Sequence, residues 1–385
     1  MTLSPIEHDW YAIVAPGLEA LALAEARALG LDAQAEEGGV AWRGDSYSGL
    51  LANASLRIAS RVVMRLATFE ARGFAELERH ARRIEWGRIV RPGDALRFRV
   101  TCKKSRLYHS DAVAQRLADA AMRVVPGVRA QGGSVDEEET VDMDDSALVV
   151  VRFMRDVCTV SADSSGALLH RRGYRQSTAK APLRETIAAA MISASGWDGV
   201  SPLIDPVCGS GTIPIEAALR ARNIAPGLER TFAMEGWPGM AVGLGERLRS
   251  ELGKRVMRTS NAMIVGSDRD AGAIAAARQN AERARVSDMV SFDIHSISAA
   301  HFPEAPRGWI VMNPPYGVRV GDADRVRDLW AQLGNVLRER AAGWRVALLS
   351  PEPALDRQLK LRLEPVASTS NGGIPVKMMV GDIPG

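Results

Sequence analysis

Between residues 203 and 350, short β-branched runs alternate with alanine-rich stretches of helical spacing, and few architectures satisfy that alternation. Residues 203–207, 263–267, 290–294, 309–312 and 346–350 read as strands. Near-continuous apolar runs of this length suit strands covered on both faces by helices. The pattern predicts an α/β fold, a parallel sheet wound with helices. Two more candidate strands, 361–368 and 376–382, flank Asn371-Gly-Gly373 and predict an antiparallel pair.

The chain before residue 175 lacks this rhythm. Residues 8–15 read as a strand and 18–29 as an amphipathic helix ending at Gly30. A short strand at 40–42 and a helical stretch over 46–64 follow. Residues 96–102 alternate like a half-buried strand, and 110–124 have helical spacing ended by Pro126-Gly127. An acidic, turn-rich loop is expected over 132–145. Residues 148–154 and 157–163 predict a hairpin around Arg155-Asp156. This first half reads as α+β. At about 150 residues per domain, 385 residues imply two or three domains.

Apolar residues at 46% and charged residues at 25% exclude a wholly disordered or collagen-like chain. No run reaches the roughly 18 apolar residues of a membrane span. Met1 to Trp10 lacks a basic region followed by an apolar core, so no secretory signal is expected. Three cysteines, Cys102, Cys158 and Cys208, are too few for a disulfide framework and fit a cytoplasmic chain with free thiols. His295 and His301 lack metal-ligand spacing, and no metal is expected. The oligomeric state is not legible. A formal net charge of +3 does not by itself mark a nucleic-acid binder. Only six of the 49 basic side chains are lysine. The arginine excess fits phosphate recognition, but with the many alanines it fits the codon bias of a GC-rich genome better.

The strongest local signal is Asp205-Pro-Val-Cys-Gly-Ser-Gly-Thr212, between a strand and the helix expected over 213–222. Its glycines permit a sharp turn and close approach to a ligand at a helix N-terminus. A phosphate-binding P-loop fits poorly, because no lysine is present. A dinucleotide fingerprint fits poorly, because Pro214 stands at the third glycine position and no acid ends a strand about 20 residues on. S-adenosylmethionine fits better. Asp205 can answer its amine, Asp268 its ribose hydroxyls and Asp293 its adenine amine, from successive strand ends. Pro206, Cys208, Gly209, Ser210, Gly211 and Thr212 complete the expected cofactor loop. Cys208 has no nearby histidine to activate it and is read as a small packing residue.

After the fourth strand comes Asn313-Pro314-Pro315-Tyr316-Gly317. Two prolines force a rigid loop at the same sheet edge. The Asn313 side-chain oxygen and the Pro314 carbonyl can accept from one exocyclic amine, and Tyr316 can stack on its ring. Positioning and electrostatics supply most of the acceleration in such a transfer.

The combination DPVCGSGT plus NPPYG resembles the class I methyltransferases that modify exocyclic amines. His170-Arg-Arg-Gly-Tyr-Arg175, Ala181-Pro-Leu-Arg-Glu-Thr-Ile187 and Ser195-Gly-Trp197 resemble the lead-in of the bacterial 23S rRNA guanine-N2 methyltransferase family, the RlmL family. Ala225-Pro-Gly227 followed by Trp237 is similar to that family's insert. Lys104-Ser-Arg-Leu-Tyr-His109 resembles the THUMP RNA-binding domain, and Pro16-Gly-Leu-Glu19 with Gly38-Gly39-Val40 resembles the family's N-terminal part. The resemblance implies a ferredoxin-like region over 1–65, a THUMP RNA-binding domain over 66–165 and a Rossmann-like class I methyltransferase domain over 166–385. It implies that Asp205, Gly209, Gly211, Asp268 and Asp293 bind S-adenosylmethionine, and that Asn313, Pro314 and Tyr316 position a guanine N2 amine of 23S rRNA. Some relatives carry a second methyltransferase module, which this sequence does not include. In the tail, Pro375 and Val376 lack the polar character of the rRNA group.

Two basic-aromatic clusters read as RNA contacts. Lys103, Lys104, Arg106, Tyr108 and His109 form the first, and Arg171, Arg172 and Arg175 around Tyr174 the second. Other acceptors fit the motifs too: guanine in tRNA, adenine in DNA, or glutamine in a release factor. A non-catalytic RNA-binding assembly factor is opposed by the intact Asn313 and Asp268.

Overall fold

The computed structural model describes residues 6–135, 146–176, 183–316 and 323–385. In chain order the strands are β1 His8–Ile13, β2 Ala33–Glu36, β3 Gly39–Gly44, β4 Arg61–Glu70, β5 Ala95–Lys103, β6 Arg129–Ser134, β7 Ala147–Met154, β8 Val157–Asp163, β9 Leu203–Asp205, β10 Ile264–Asp268, β11 Val290–Ile294, β12 Trp309–Met312, β13 Arg345–Ser350, β14 Glu364–Asn371 and β15 Ile374–Asp382. The helices are α1 Glu19–Ala28, α2 Ser46–Ser55, α3 Phe74–Ala81, α4 Ser110–Val124, α5 Glu185–Ser195, α6 Thr212–Ala221, α7 Leu244–Lys254, α8 Ala271–Arg283, α9 Ala323–Arg340 and α10 Pro353–Leu359. None of the described helices is long and apolar enough to cross a membrane. The chain separates into two compact units, each with its own sheet.

The first unit holds an eight-stranded sheet of order β2-β3-β1-β4-β8-β7-β5-β6. Its pairings are antiparallel except β7-β5 and β5-β6. The core is aromatic, with Trp10 stacked on Trp42 and Trp86 meeting Phe98 edge-on. It also contains a buried ion pair, Arg61 with Asp163, closed by hydrogen bonds to the Gly166 carbonyl and from the Ser165 N–H.

The helical stretch expected over 46–64 is only half helix. Asp45 caps α2 by accepting from the Ser48 N–H, and the helix stops at Ser55. Residues 61–64 instead begin β4, between β1 and β8. All four are buried, so a central strand here shows no alternation to separate it from a helix. The start of the expected 132–145 loop belongs to β6, paired in parallel with β5, and residues 136–145 lie outside the described residues. The hairpin at 155–156 forms as expected. Arg155 and Asp156 both take positive φ, +52° and +65°, which gives the turn whose twist matches its strands.

The second unit holds a seven-stranded sheet of order β11-β10-β9-β12-β13-β15-β14. The first five strands are parallel, and β15 and β14 close it in antiparallel fashion. The expected strand alternation is therefore present, within a mixed sheet. The strand order reverses across β9, whose neighbours are β10 and β12. Open sheets of this kind bind ligands at the carboxyl ends of the strands flanking such a reversal. A core of Trp330, Leu333, Leu337, Trp344, Ile310 and Leu348 packs α9 against the sheet.

Candidate active site

Asp205 ends β9, Asp268 ends β10, and Asn313 directly follows β12. The sheet thus delivers all three to one edge. Between β9 and α6 the chain turns through Gly209 at φ +52° and Gly211 at φ +83°. A Cβ on Gly209 would meet nothing within 4 Å, so its outer side is open. A Cβ on Gly211 would lie 2.9 Å from both Ala277 and the Phe292 ring. That glycine lets the loop sit tightly on α8 and β11. Pro214 falls in the first turn of α6, where no intrahelical N–H donor is needed.

Side chains then fix the loop. The Asp268 carboxylate accepts from the Gly209 N–H and the Asp270 N–H, both at 3.0 Å. Asn280, fully buried on α8, donates to the Ser210 carbonyl at 3.0 Å. Arg283 donates to the Asn280 side-chain oxygen at 2.6 Å and to the Tyr174 carbonyl at 2.7 Å. Asp205 is buried and accepts from the Val207 N–H at 3.1 Å. Burial raises its carboxyl well above the usual range, Val207 opposes this, and Asp268 adds to it. Among the described residues no cation acts on Asp205. Cys208 is buried, and its thiol is pushed up by burial and by both carboxylates. It stays protonated, as a packing residue would.

These residues line a cavity of about 630 Å³, a size ordinary for small-ligand sites. It takes in Asp205, Pro206, Cys208, Gly209, Ser210, Thr212, Asp268, Asn313, Pro314, Pro315 and Tyr316. Gly211 supports it from behind. Asp293 is not brought in. Phe292 turns inward under the glycine loop, so its neighbour Asp293 faces out, and the wall there is His295, Ser296 and Ile297. Sequence reasoning missed those three, along with Leu183, Arg269, Gln332 and Asn371. Leu183 lies in the quoted lead-in segment and Asn371 in the link between the last strands, but no local spacing assigned any of the seven to the cavity.

The reactive loop is anchored at two points. The Pro315 carbonyl accepts from the Trp330 indole at 3.0 Å, and Asn371 donates to the Tyr316 hydroxyl at 2.6 Å. Burial raises the Tyr316 phenol, so it remains neutral. The half-buried Asn313 keeps its side-chain oxygen out of solvent, without a hydrogen-bond partner among the described residues. An orphaned acceptor costs about 1–3 kcal/mol and calls for an explanation.

The two basic clusters differ. Lys103, Lys104, Arg106, Tyr108 and His109 are exposed on one turn beyond β5. Asp156 braces that turn by accepting from the Arg106 N–H at 2.7 Å. Tyr108 lies beside His109 with ring centroids 4.0 Å apart. In the second cluster Arg171 is exposed, but Arg172 and Arg175 are not the solvent-facing contacts expected. Arg172 pairs with Glu216 at 3.5 Å, its side chain only 3% exposed, and Arg175 pairs with Glu185 at 3.3 Å. Tyr174 is buried and donates to Glu216 at 3.1 Å. The carboxylates on α5 and α6 draw these cations inward, which no local spacing reveals.

Burial moves the Glu185 carboxyl up to about 7 despite Arg175 beside it, with Glu216 adding to the rise and Arg172 opposing it. Folding therefore binds a proton between pH 4.5 and about 7. Its contribution is complete below pH 4.5 and lost as pH rises through 7, roughly 3 kcal/mol in all. Glu185→Gln is expected to match wild type near pH 5 and to exceed it in stability at pH 8, measured by urea unfolding. Comparing the two proteins isolates Glu185 from His170, whose ring burial lowers to about 4. Equal pH dependence in both would remove Glu185 as the cause.

Against known proteins, a family profile for the RMKL-like methyltransferase domain matches residues 172–378, and one for the RlmL ferredoxin-like domain matches residues 9–63. The chain belongs to the RMKL-like methyltransferase family. S-adenosylmethionine is the cofactor of such a domain, as the glycine loop led us to expect. A cyanobacterial relative, slr0064 of Synechocystis, is 33% identical over 98% of this chain and 97% of its own length, and is provisionally named an RNA methyltransferase. A Listeria monocytogenes protein, provisionally described as an N6-adenine-specific DNA methylase, is 30% identical. The match covers 97% of this chain and 96% of that one, with a TM-score of 0.85. SMU.472, provisionally described as a methyltransferase and solved with SAH, is 27% identical over 99% of both chains, with a TM-score of 0.87.

Proposed function

We propose that this RMKL-like methyltransferase transfers a methyl group from S-adenosylmethionine to the exocyclic N2 amine of a guanine in 23S rRNA. The orphaned Asn313 oxygen at the cavity wall carries the amine-acceptor reading. The bound cofactor supplies an electrophilic methyl group on a sulfonium. Asp205, buried without a cation, suits its ammonium group. Asp268 holds Gly209 and offers the cavity a carboxylate. Asn313 and the Pro314 carbonyl accept the two amine hydrogens, which aims the nitrogen lone pair into the cavity. Tyr316, neutral and tethered to Asn371, provides a stacking face. Positioning of this kind needs no strong base, because the amine proton leaves to water after transfer.

RNA is favoured by the RlmL ferredoxin-like match and by the exposed turn Lys103, Lys104, Arg106, Tyr108 and His109. We assign that turn, with residues 66–165, to a THUMP-type RNA-binding region. Guanine-N2 transfer to tRNA is the second reading, since the same loop serves either RNA. The test offers tritiated S-adenosylmethionine, with protein-free 23S rRNA and with total tRNA, from cells lacking the gene. N2-methylguanosine in 23S rRNA is the expected product. The same nucleoside in tRNA alone would overturn the rRNA assignment, and N6-methyladenosine would overturn the guanine assignment.

A further inference from the structure

Beside the cofactor cavity lies a second, of about 910 Å³, lined by Arg269, Pro315, Arg325, Leu329, Gln332 and Asn335 among others. The two share Arg269, Pro315, Leu329 and Gln332, so they meet at the reactive loop. Resting on the nucleic-acid reading above, we propose that this second cavity seats the phosphodiester backbone flanking the acceptor base. Arg269 and Arg325 are its phosphate-binding residues.

The chemistry of the wall supports this. Arg269 is exposed and has no carboxylate partner among the described residues. Arg325 is exposed on the first turn of α9. The carboxylate in the wall, Asp328, already faces Arg327 at 3.8 Å. Two guanidinium forks and two amide side chains suit an oxyanion, and Pro315, Val326, Leu329 and Ala331 give the adjoining sugar apolar contact. The cavity is also held in place. Trp330, fully buried, fixes the Pro315 carbonyl at 3.0 Å and thereby locks α9 to the reactive loop. Asp268, next to Arg269, has both carboxylate oxygens engaged by backbone N–H groups. A base whose amine meets Asn313 has the cofactor on one side. The second cavity adjoins the first at Pro315, within reach of the sugar and phosphate of a base held there.

Arg325→Ala and Arg269→Ala are compared with wild type on protein-free total RNA, and in parallel on genomic DNA and RNA-free soluble protein, all from cells lacking the gene, across a salt series. Each variant is expected to raise the RNA KM about tenfold and lower the log–log salt slope by about 1. Arg325→Ala should also leave S-adenosylmethionine affinity unchanged. If wild type methylates RNA and both variants keep its KM and slope, the subsite is overturned while the RNA reading stands. If wild type labels only DNA and both variants lose affinity for it, the backbone subsite stands and the RNA reading falls. Transfer to protein alone overturns both.

Discussion

Asn313→Ala is expected to cut methyl transfer by about 10²–10³-fold while S-adenosylmethionine affinity stays within a few fold. The asymmetry follows from geometry. Asn313 lines the cavity, yet its side-chain oxygen bonds to none of the described residues and is shielded from solvent. Such an atom contributes nothing favourable to folding and costs free energy while it waits. Alanine removes that cost, so the variant should melt at or slightly above the wild-type temperature. Loss of activity together with a lowered melting temperature would indicate a structural role. Near-wild-type activity would remove the loop from the chemistry altogether. Single-turnover kinetics with cofactor and RNA saturating separate the transfer step from binding.

Asp268→Ala should instead act on cofactor binding, weakening it by about 10- to 100-fold. Both carboxylate oxygens are engaged, one by the Gly209 N–H and one by the Asp270 N–H. Truncation leaves two donors unpaired, frees the glycine loop and deletes the carboxylate from the cavity. Asp268→Asn separates these effects. It keeps an acceptor for a backbone N–H, so the melting temperature should recover more than the affinity. Isothermal titration with S-adenosylmethionine is the direct measurement. Unchanged affinity in the alanine variant would place the ribose elsewhere.

The parts legible in the sequence are those whose chemistry is local. Asp205 to Thr212 and Asn313 to Tyr316 declare themselves because a turn, a helix start and a proline pair each demand particular residues over a few positions. The strand alternation is legible because burial on two faces leaves long apolar runs. That same signal misleads at 61–64, where a central strand and a helix look alike. Arg172, Tyr174 and Arg175 show a deeper limit. A basic-aromatic run resembles an RNA-facing patch until Glu185 and Glu216 are folded beside it. Those carboxylates lie outside the run, on α5 and α6, so local spacing cannot supply them. The Asn371 contact to Tyr316 is invisible for the same reason, spanning 55 positions.

The place of β15 bears on how the chain is made. This strand lies inside the sheet, between β13 and β14, although both precede it in sequence. As the polypeptide leaves the ribosome, β13 therefore emerges with one edge open, and β14 emerges with nothing to pair against. Both wait until residues 374–382 arrive. An open edge is a site for mispairing with other chains. During synthesis this domain is thus exposed to chaperone capture or aggregation over that interval, and slow codons between β13 and β15 would lengthen it.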